Sequence, residues 1–370
     1  MRPDLPAAIA RALERCERPS LVFDLARIDA NLAEIARAAA GAGVTALFAA
    51  KSFPHPAVRA LAAAHLAGFD VASPEEIREV SGVAGGTHGP AVLSVADPSG
   101  RAIIAAAGWR GRLIVSCETA AQVRAAPPGA EIAIRISASL TGRDPAIGAV
   151  LEGSGHRRSR FGLDTGPARR SEAIRELAGA AYPRPVGLHV HHGPVAATSG
   201  ERFAATARAV LAAAAEAGVE PRFLDLGGAW HAIPDLAGAL AELRAALPPL
   251  ELVIEPGRRV ADGAGFAASR IAASRELDDR ELRVLELSRS CHLRWSQPEL
   301  VAPPPRTGAG RAVLFVGPTC YEDDVLGEWN VEPARFLAGG LAVLRHVTGY
   351  AVAWNTGFGG VAPADVVIVE

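Results

Sequence analysis

Cysteine is scarce: Cys16, Cys117, Cys291 and Cys320 are the four in 370 residues, unevenly spread, and no two stand at zinc-site spacing. That excludes a disulfide framework, leaves no expectation of a metal ion, and fits a reducing compartment. Long apolar runs are missing as well. None approaches the roughly 18 residues of a membrane span. The start, residues 1–18, is mixed charged and alanine-rich without a signal-peptide core, so a cytoplasmic location is expected. Charge of one sign is not in excess either, with 38 Lys and Arg against 40 Asp and Glu and a formal net charge of -2. A nucleic-acid binder ordinarily carries a clustered basic surplus, so neither nucleic acid nor membrane is expected as a partner. Internal repeats and long low-complexity linkers are also lacking.

What the chain does have is length for one large barrel plus a smaller unit, and a hydrophobic fraction of 49% rich in alanine. From residue 44 to about 257, short β-branched or apolar runs alternate with alanine- and leucine-rich runs of helical period. Eight strands are predicted at 44–50, 69–72, 91–96, 113–117, 131–136, 186–191, 223–226 and 250–254, with helices at 56–67, 74–81 and 201–217. Before them, Leu21-Val22-Phe23 reads as an extra strand, and Asp24 can cap a helix that places Ile28, Leu32 and Ile35 on one face. Eight β-then-α units in a row point to an α/β fold with a closed (β/α)8 barrel over residues 20–262, an open doubly wound sheet being the alternative. Residues 263–370 change character. Strand-like pieces at 283–287, 312–316, 341–347 and 366–369, and few helical runs, predict a C-terminal β-rich domain, a barrel or sandwich, that residues 1–19 can join. The proline-rich 302–310 reads as a surface loop within it.

Lys51 raises the functional question, because it closes the apolar run "ALFAAK" with only a proline-broken turn behind it. Either the ammonium has reached solvent, or it is paired, deprotonated or covalently occupied, since burial disfavours the charged form. In a parallel barrel the chemistry sits where strands end. Lys51 follows the first strand, His191 ends the sixth, Gly227-Gly228 follow the seventh and Glu255 follows the eighth. Four chemically capable positions converge on one mouth.

The motifs "FAAKSFPHPAVRALAAAHLAGFDVAS" (48–73), "SRFG" (159–162), "GLHVHHG" (187–193), "LDLGGAW" (224–230), "IEPGRR" (254–259) and "GPTCYEDDVLG" (317–327) appear in one order and spacing. Together they resemble the fold-type III pyridoxal-phosphate decarboxylases, which include ornithine, diaminopimelate and carboxynorspermidine decarboxylases. "SRSCHLRW" (288–295) is most similar to the carboxynorspermidine branch. The resemblance implies removal of the α-carboxylate of an amino acid, a diamino acid or a carboxylated polyamine, with pyridoxal 5'-phosphate as cofactor. It implies that Lys51 carries the cofactor covalently, and that Glu255 faces the pyridine nitrogen and keeps it protonated. Gly227, Gly228, Gly257 and Arg258 then bind the phosphate with Tyr350, and His191 stacks on the ring. The choice of His191 over His189 and His192 rests on the family spacing; alternation puts His189 and His191 on one side. Cys320 supplies the proton that replaces carbon dioxide, and Asp324 approaches the substrate's distal end. His292 and Arg294 lie in the segment that sets specificity and suit a distal carboxylate, whereas Asp324 suits a distal amine. Cys320 and Asp324 come from the partner subunit in this family, which implies a homodimer with composite sites.

Three departures stand out: Pro194 replaces the serine of an "HIGS"-like motif, Ala229 replaces the third glycine of a "GGG" run, and "WNTGFGG" (354–360) is looser than "FNG". An amino-acid racemase on the same plan is the rival reading. Racemases of this fold commonly set an arginine at the pyridine nitrogen and a tyrosine as second base, so Glu255 and Cys320 favour decarboxylation. A regulator that has lost its cofactor is disfavoured by the joint presence of Lys51, Glu255, Arg258 and Cys320, and a single-domain cofactor carrier by the β-rich end.

Overall fold

The computed structural model describes residues 5–83, 92–137, 160–163, 166–191, 200–276, 280–303 and 310–370. Ser159, His192, Pro194 and residues 304–309 of the proline-rich segment lie outside these. Two compact units divide the chain: Met1–Asn31, Ser52–Val58 and Val260–Glu370 form one, Leu32–Lys51 and Arg59–Arg259 the other.

Strand β1 (Ser20–Asp24) belongs to the first unit. The second holds β2 (Val44–Ala49), β3 (Gly68–Val71), β4 (Val92–Val95), β5 (Arg112–Cys117), β6 (Glu131–Arg135), β7 (Val186–His191), β8 (Phe223–Gly227) and β9 (Glu251–Glu255). Each pairs in parallel with the next, and β2 also pairs with β9, which closes the barrel and rules out the open sheet. Each of the eight predicted barrel strands is present with its ends shifted by at most one residue. The predicted helices form as Pro56–His65, Pro74–Val83 and Gly200–Glu216. Helix Leu25–Gly41 is capped as expected, Asp24 Oδ1 accepting from Arg27 N at 3.1 Å, and Ile28, Leu32 and Ile35 are fully buried.

Inside the barrel, the two-residue period of the strands stacks three layers. The middle one is apolar and made by Leu47, Val92, Ile114, Ala133, Phe223 and Val253. Two residues earlier on the same strands stand Thr45, Arg112, Glu131 and Glu251. There the Arg112 guanidinium meets Glu131 Oε1 and Oε2, each at 2.9 Å, and also pairs with Glu251. Two residues later stand Ser94, Ser116, Arg135, Asp225 and Glu255, at the end where strands give way to loops. Because all eight strands are parallel, that end is a single rim, and the polar layer under it is the floor of the site.

In the first unit, β10 (Gly265–Glu276), β11 (Glu281–Leu285), β12 (Glu299–Ala302), β13 (Arg311–Val316), β14 (Val325–Val331), β15 (Leu341–Arg345) and β16 (Asp365–Val369) join β1 in an eight-stranded sheet. The expected β-rich domain is there, and β1 enters it between β10 and β16. Strands β10, β12 and β14 were not legible beforehand. In β10 the run "GFAASRIAASRE" is alanine-rich like a helix, and the sheet explains it: helix Ala7–Glu14 sets Ile9 and Leu13 in one core cluster with the fully buried Ala268. No helix among the described residues is long and apolar enough to cross a membrane.

Candidate active site

Lys51 sits in a short 3-10 turn, Ala50–Ser52, directly after β2, and its Nζ is hydrogen-bonded to Asp70 Oδ2 on β3. Asp70 is fully buried, while the lysine side chain is 36% exposed. The ammonium has therefore not escaped to solvent; it is drawn to a carboxylate inside the barrel wall. Nearby, Glu76 Oε2 accepts from Ala72 N at 2.7 Å, and burial pushes this carboxyl above its ordinary range despite Lys51.

Glu255 ends β9 with its carboxyl 4% exposed. Asp225, inward on the neighbouring strand β8 and fully buried, accepts from Ser94 Oγ at 3.4 Å through Oδ2. Burial, reinforced by Asp70, pushes the Asp225 carboxyl up to about 7. Glu255 is driven well above the usual carboxylate range by burial first, then by Asp225 and Asp70, with Lys51 and Arg135 opposing. From β7, His189 bonds Ser116 Oγ through Nδ1 at 2.7 Å and brings Nε2 to 4.0 Å from Glu255 Oε2. Burial, with Arg135, His191 and Lys51 adding to it, holds this imidazole well below its ordinary value and thus neutral. His191, two residues on, is exposed at the strand end.

At the end of β8, Gly227 is dictated by crowding: a Cβ there would run into Glu255 Oε2 and lie 2.8 Å from His191 Cδ2. Gly228 has φ 117, a conformation that favours glycine. Ala229, the departure from a third glycine, is buried and leads into Trp230, which stacks on Phe203 at 4.0 Å. Arg258 lies in the 3-10 turn after β9 and Gly257, with Nη1 3.4 Å from His231 Nε2. Glycine backbone and an arginine near two strand ends make a donor set suited to a phosphate.

The remaining expected residues belong to the first unit. Cys320 is exposed, in a turn with exposed Tyr321, Glu322 and Asp323. Asp324 and His292 depart from their expected roles at the substrate. The Asp324 carboxylate, 2% exposed, accepts from Ser288 Oγ (3.0 Å), Arg289 N (2.6 Å) and Ser290 N (3.2 Å) on one oxygen. Its other oxygen takes Thr319 N (3.2 Å) and Oγ1 (2.6 Å). Five donors use up the lone pairs, so this carboxylate ties a turn to helix Arg289–His292. His292 is fully buried, accepting from Ser288 N at 3.0 Å and reaching Ala362 O at 3.0 Å, so both ring nitrogens are in use. Arg294 is exposed and lies 4.7 Å over the Trp354 ring; Tyr350 packs edge-on to Trp295 at 4.9 Å.

Three residues of the site were not singled out from sequence: Asp70, Asp225 and Arg135. Each was signalled in the same way, by a charged residue at an inward position of an otherwise apolar strand, in "GFDV", "FLDLG" and "EIAIR". The barrel-mouth residues fit pyridoxal phosphate on the structure's own evidence. Glu255 Oε1 is buried with no hydrogen-bond partner among the described residues, ready for a ring nitrogen. Lys51 offers an amine on the same rim, and the Gly227–Gly228 backbone leaves the space that side chains would fill.

Comparison with known proteins agrees. Residues 25–262 match the family described as pyridoxal-dependent decarboxylase, pyridoxal binding domain. The diaminopimelate decarboxylase of Pseudomonas aeruginosa is 26% identical over 98% of this chain and 90% of its own. Among solved structures, the arginine decarboxylase of Paramecium bursaria Chlorella virus bound to agmatine superposes with a TM-score of 0.78 at 17% identity, over 98% of this chain and all of that one. The lysine/ornithine decarboxylase of Vibrio vulnificus complexed with putrescine gives 0.73 at 18% identity, over 98% and 97% of the two chains.

Proposed function

We propose, from the premise that the chain belongs to the pyridoxal-dependent decarboxylases, that it removes the α-carboxylate of an amino acid whose distal end carries both an amine and a carboxylate, as diaminopimelate does. Membership makes the protein a pyridoxal-phosphate-dependent amino-acid decarboxylase. The racemase alternative draws no support from the three relatives named above, each of them a decarboxylase. The observation that carries the reading is the convergence of Lys51 and the buried Glu255 on one barrel rim.

When bound, pyridoxal phosphate supplies the electron sink that lets the carboxylate leave as carbon dioxide. Lys51 holds it covalently, and Asp70 orients the lysine amine. Glu255 Oε1 takes the ring nitrogen. The Gly227 and Gly228 backbone, Gly257 and Arg258 would hold the phosphate, and His191 would cover a ring face. Cys320 delivers the proton that replaces the lost carboxylate. Substrate choice narrows once Asp324 and His292 are committed to their own unit. The exposed groups left in those two segments are Arg294, suited to a carboxylate, and the Glu322–Asp323 pair, suited to an amine.

Cys320 acts in a homodimer in which each site takes it from the partner. Supporting this, Tyr321, Phe358, Trp295 and Trp354 are exposed near it in the chain or in ring contact with one another, an aromatic surface of the composition interfaces favour. The purified protein is expected to be yellow, with borohydride fixing the cofactor on the Lys51 peptide. It is expected to release carbon dioxide from diaminopimelate faster than from ornithine, lysine or carboxynorspermidine. A colourless protein that cannot be reconstituted refutes the cofactor assignment. Preference for a substrate lacking the distal carboxylate refutes the substrate assignment alone.

A further inference from the structure

The floor of the barrel mouth holds three buried carboxyl groups, Asp70, Asp225 and Glu255. Lys51 bonds Asp70, which leaves Asp225 and Glu255 as two buried, inward carboxyls on adjacent strands. Two carboxyls buried side by side cannot both ionise cheaply, so one proton is retained between them. Ser94 holds Asp225 from β4, and Ser116 holds His189 from β5, so the pair is flanked by fixed groups on both sides. Asp225 Oδ1, Glu255 Oε1 and His189 Nε2 are buried without partners among the described residues. Such a layer is unfavourable for folding alone and suits a site that a ligand completes.

We propose that Asp225 and His189 are positioning residues that set the charge of Glu255: Asp225 shares one proton with it from β8, and His189, fixed by Ser116, offers it a neutral N–H from β7. This deepens the reading of Glu255 as the ring-nitrogen partner and rests on it. Asp225 keeps the pair at one negative charge while nothing cationic faces Glu255 Oε1. A proton carried by the ring nitrogen then takes the place of the shared one, which leaves the pair for solvent, so charge balances without another reactant. His189 N–H stabilises the ionised Glu255 that results. The charged and titratable groups facing the pair are Asp70, Lys51, Arg135, His189 and His191, and the two cations oppose the shared proton without outweighing burial.

The sign of the pH dependence follows. Both carboxyls titrate higher in the folded chain than unfolded, near 4. The contribution of Asp225 to stability is complete below that value and is lost as pH rises through about 7, and that of Glu255 is lost in the same direction. Full-length protein stripped of pyridoxal phosphate is therefore expected to lose thermal stability on this rise, and Asp225→Asn, of the same shape, is expected to flatten the loss. Parallel curves for wild type and Asp225→Asn overturn the shared proton, whatever the absolute melting temperatures. Reloaded with pyridoxal phosphate, the proteins report Glu255 through the pH midpoint of the cofactor's absorption. Asp225→Asn should lower that midpoint by about one unit, the scale of one adjacent charge, and His189→Leu, which removes the donor that stabilises ionised Glu255, should lower it as well. Midpoints that coincide with wild type overturn the positioning roles. Failure of wild type to bind pyridoxal phosphate instead removes the cofactor reading, and the stability curves still decide the proton.

Discussion

Replacing Gly227 by alanine tests how tightly the barrel mouth is built. The backbone is not the obstacle, since Gly227 is not among the positive-φ glycines. The new methyl carbon would collide with Glu255 Oε2 and approach His191 Cδ2 to 2.8 Å and Glu255 Cδ to 3.3 Å. Contacts under 3.0 Å require something to move. Glu255 cannot yield cheaply, because its carboxyl is buried beside Asp225 on the adjacent strand. Overpacking of this kind costs about 1–3 kcal/mol. The displaced groups face the cofactor, so the cost should fall on cofactor binding, weakening pyridoxal phosphate by about 5- to 150-fold. The assay is titration of the stripped protein with pyridoxal phosphate, followed by absorption or tryptophan fluorescence, with a melting curve in parallel. Affinity within about twofold of wild type would refute the crowding argument, because the rim would then have slack that these distances deny.

Other outcomes follow from the same coordinates. Gly179→Ala lies within helix Pro167–Ala181 with nothing within 4 Å of the added carbon, so it should raise stability by about 0.5–1 kcal/mol in urea denaturation and leave cofactor affinity unchanged. Under native conditions a thiol reagent should titrate one cysteine quickly, Cys320, because the other three are buried and burial pushes the Cys117 thiol up to about 12; rapid reaction of a second thiol refutes the burial pattern. Arg112→Met leaves Glu131 and Glu251 facing one another at partly exposed positions, so the cost should be about 2–3 kcal/mol, below that of a fully buried pair. Adding Glu251→Gln should recover part of that cost, and strict additivity in the double-mutant cycle speaks against the network.

The barrel was legible because its strands announce themselves twice, by apolar runs such as "VTALFA" and by the helices between them, so that even the strand ends came out within a residue. Lys51 and Glu255 were legible because they terminate such runs. Asp324 and His292 misled for a physical reason. An acid four residues past a cysteine, or a histidine in a polar segment, has the same sequence signature whether it faces a ligand or its own backbone. Asp324 takes three backbone amides and two hydroxyls from segments 35 residues apart in sequence and from its own turn, which no local pattern reveals. Strand β10 escaped because alanine is favoured in helices and equally suits a sheet face under a close-packed helix.

The layering of the barrel gives the chemistry a local character. The Arg112 network and the Asp225–Glu255 pair occupy inward positions four residues apart along β9, from Glu251 to Glu255, with the apolar layer of Leu47, Ile114, Phe223 and Val253 between them. Charges in the lower layer find their partners within the protein, one guanidinium being hydrogen-bonded to two carboxylates. Those in the upper layer are left open: Asp70 Oδ1, Asp225 Oδ1, Glu255 Oε1 and His189 Nε2 are buried without hydrogen-bond partners among the described residues. A fold that can saturate one layer so fully has no stereochemical reason to leave the other open. The unsaturated layer is therefore the one shaped by a ligand, and its unpartnered carboxyl oxygens match a ring nitrogen that must stay protonated while electrons flow toward it.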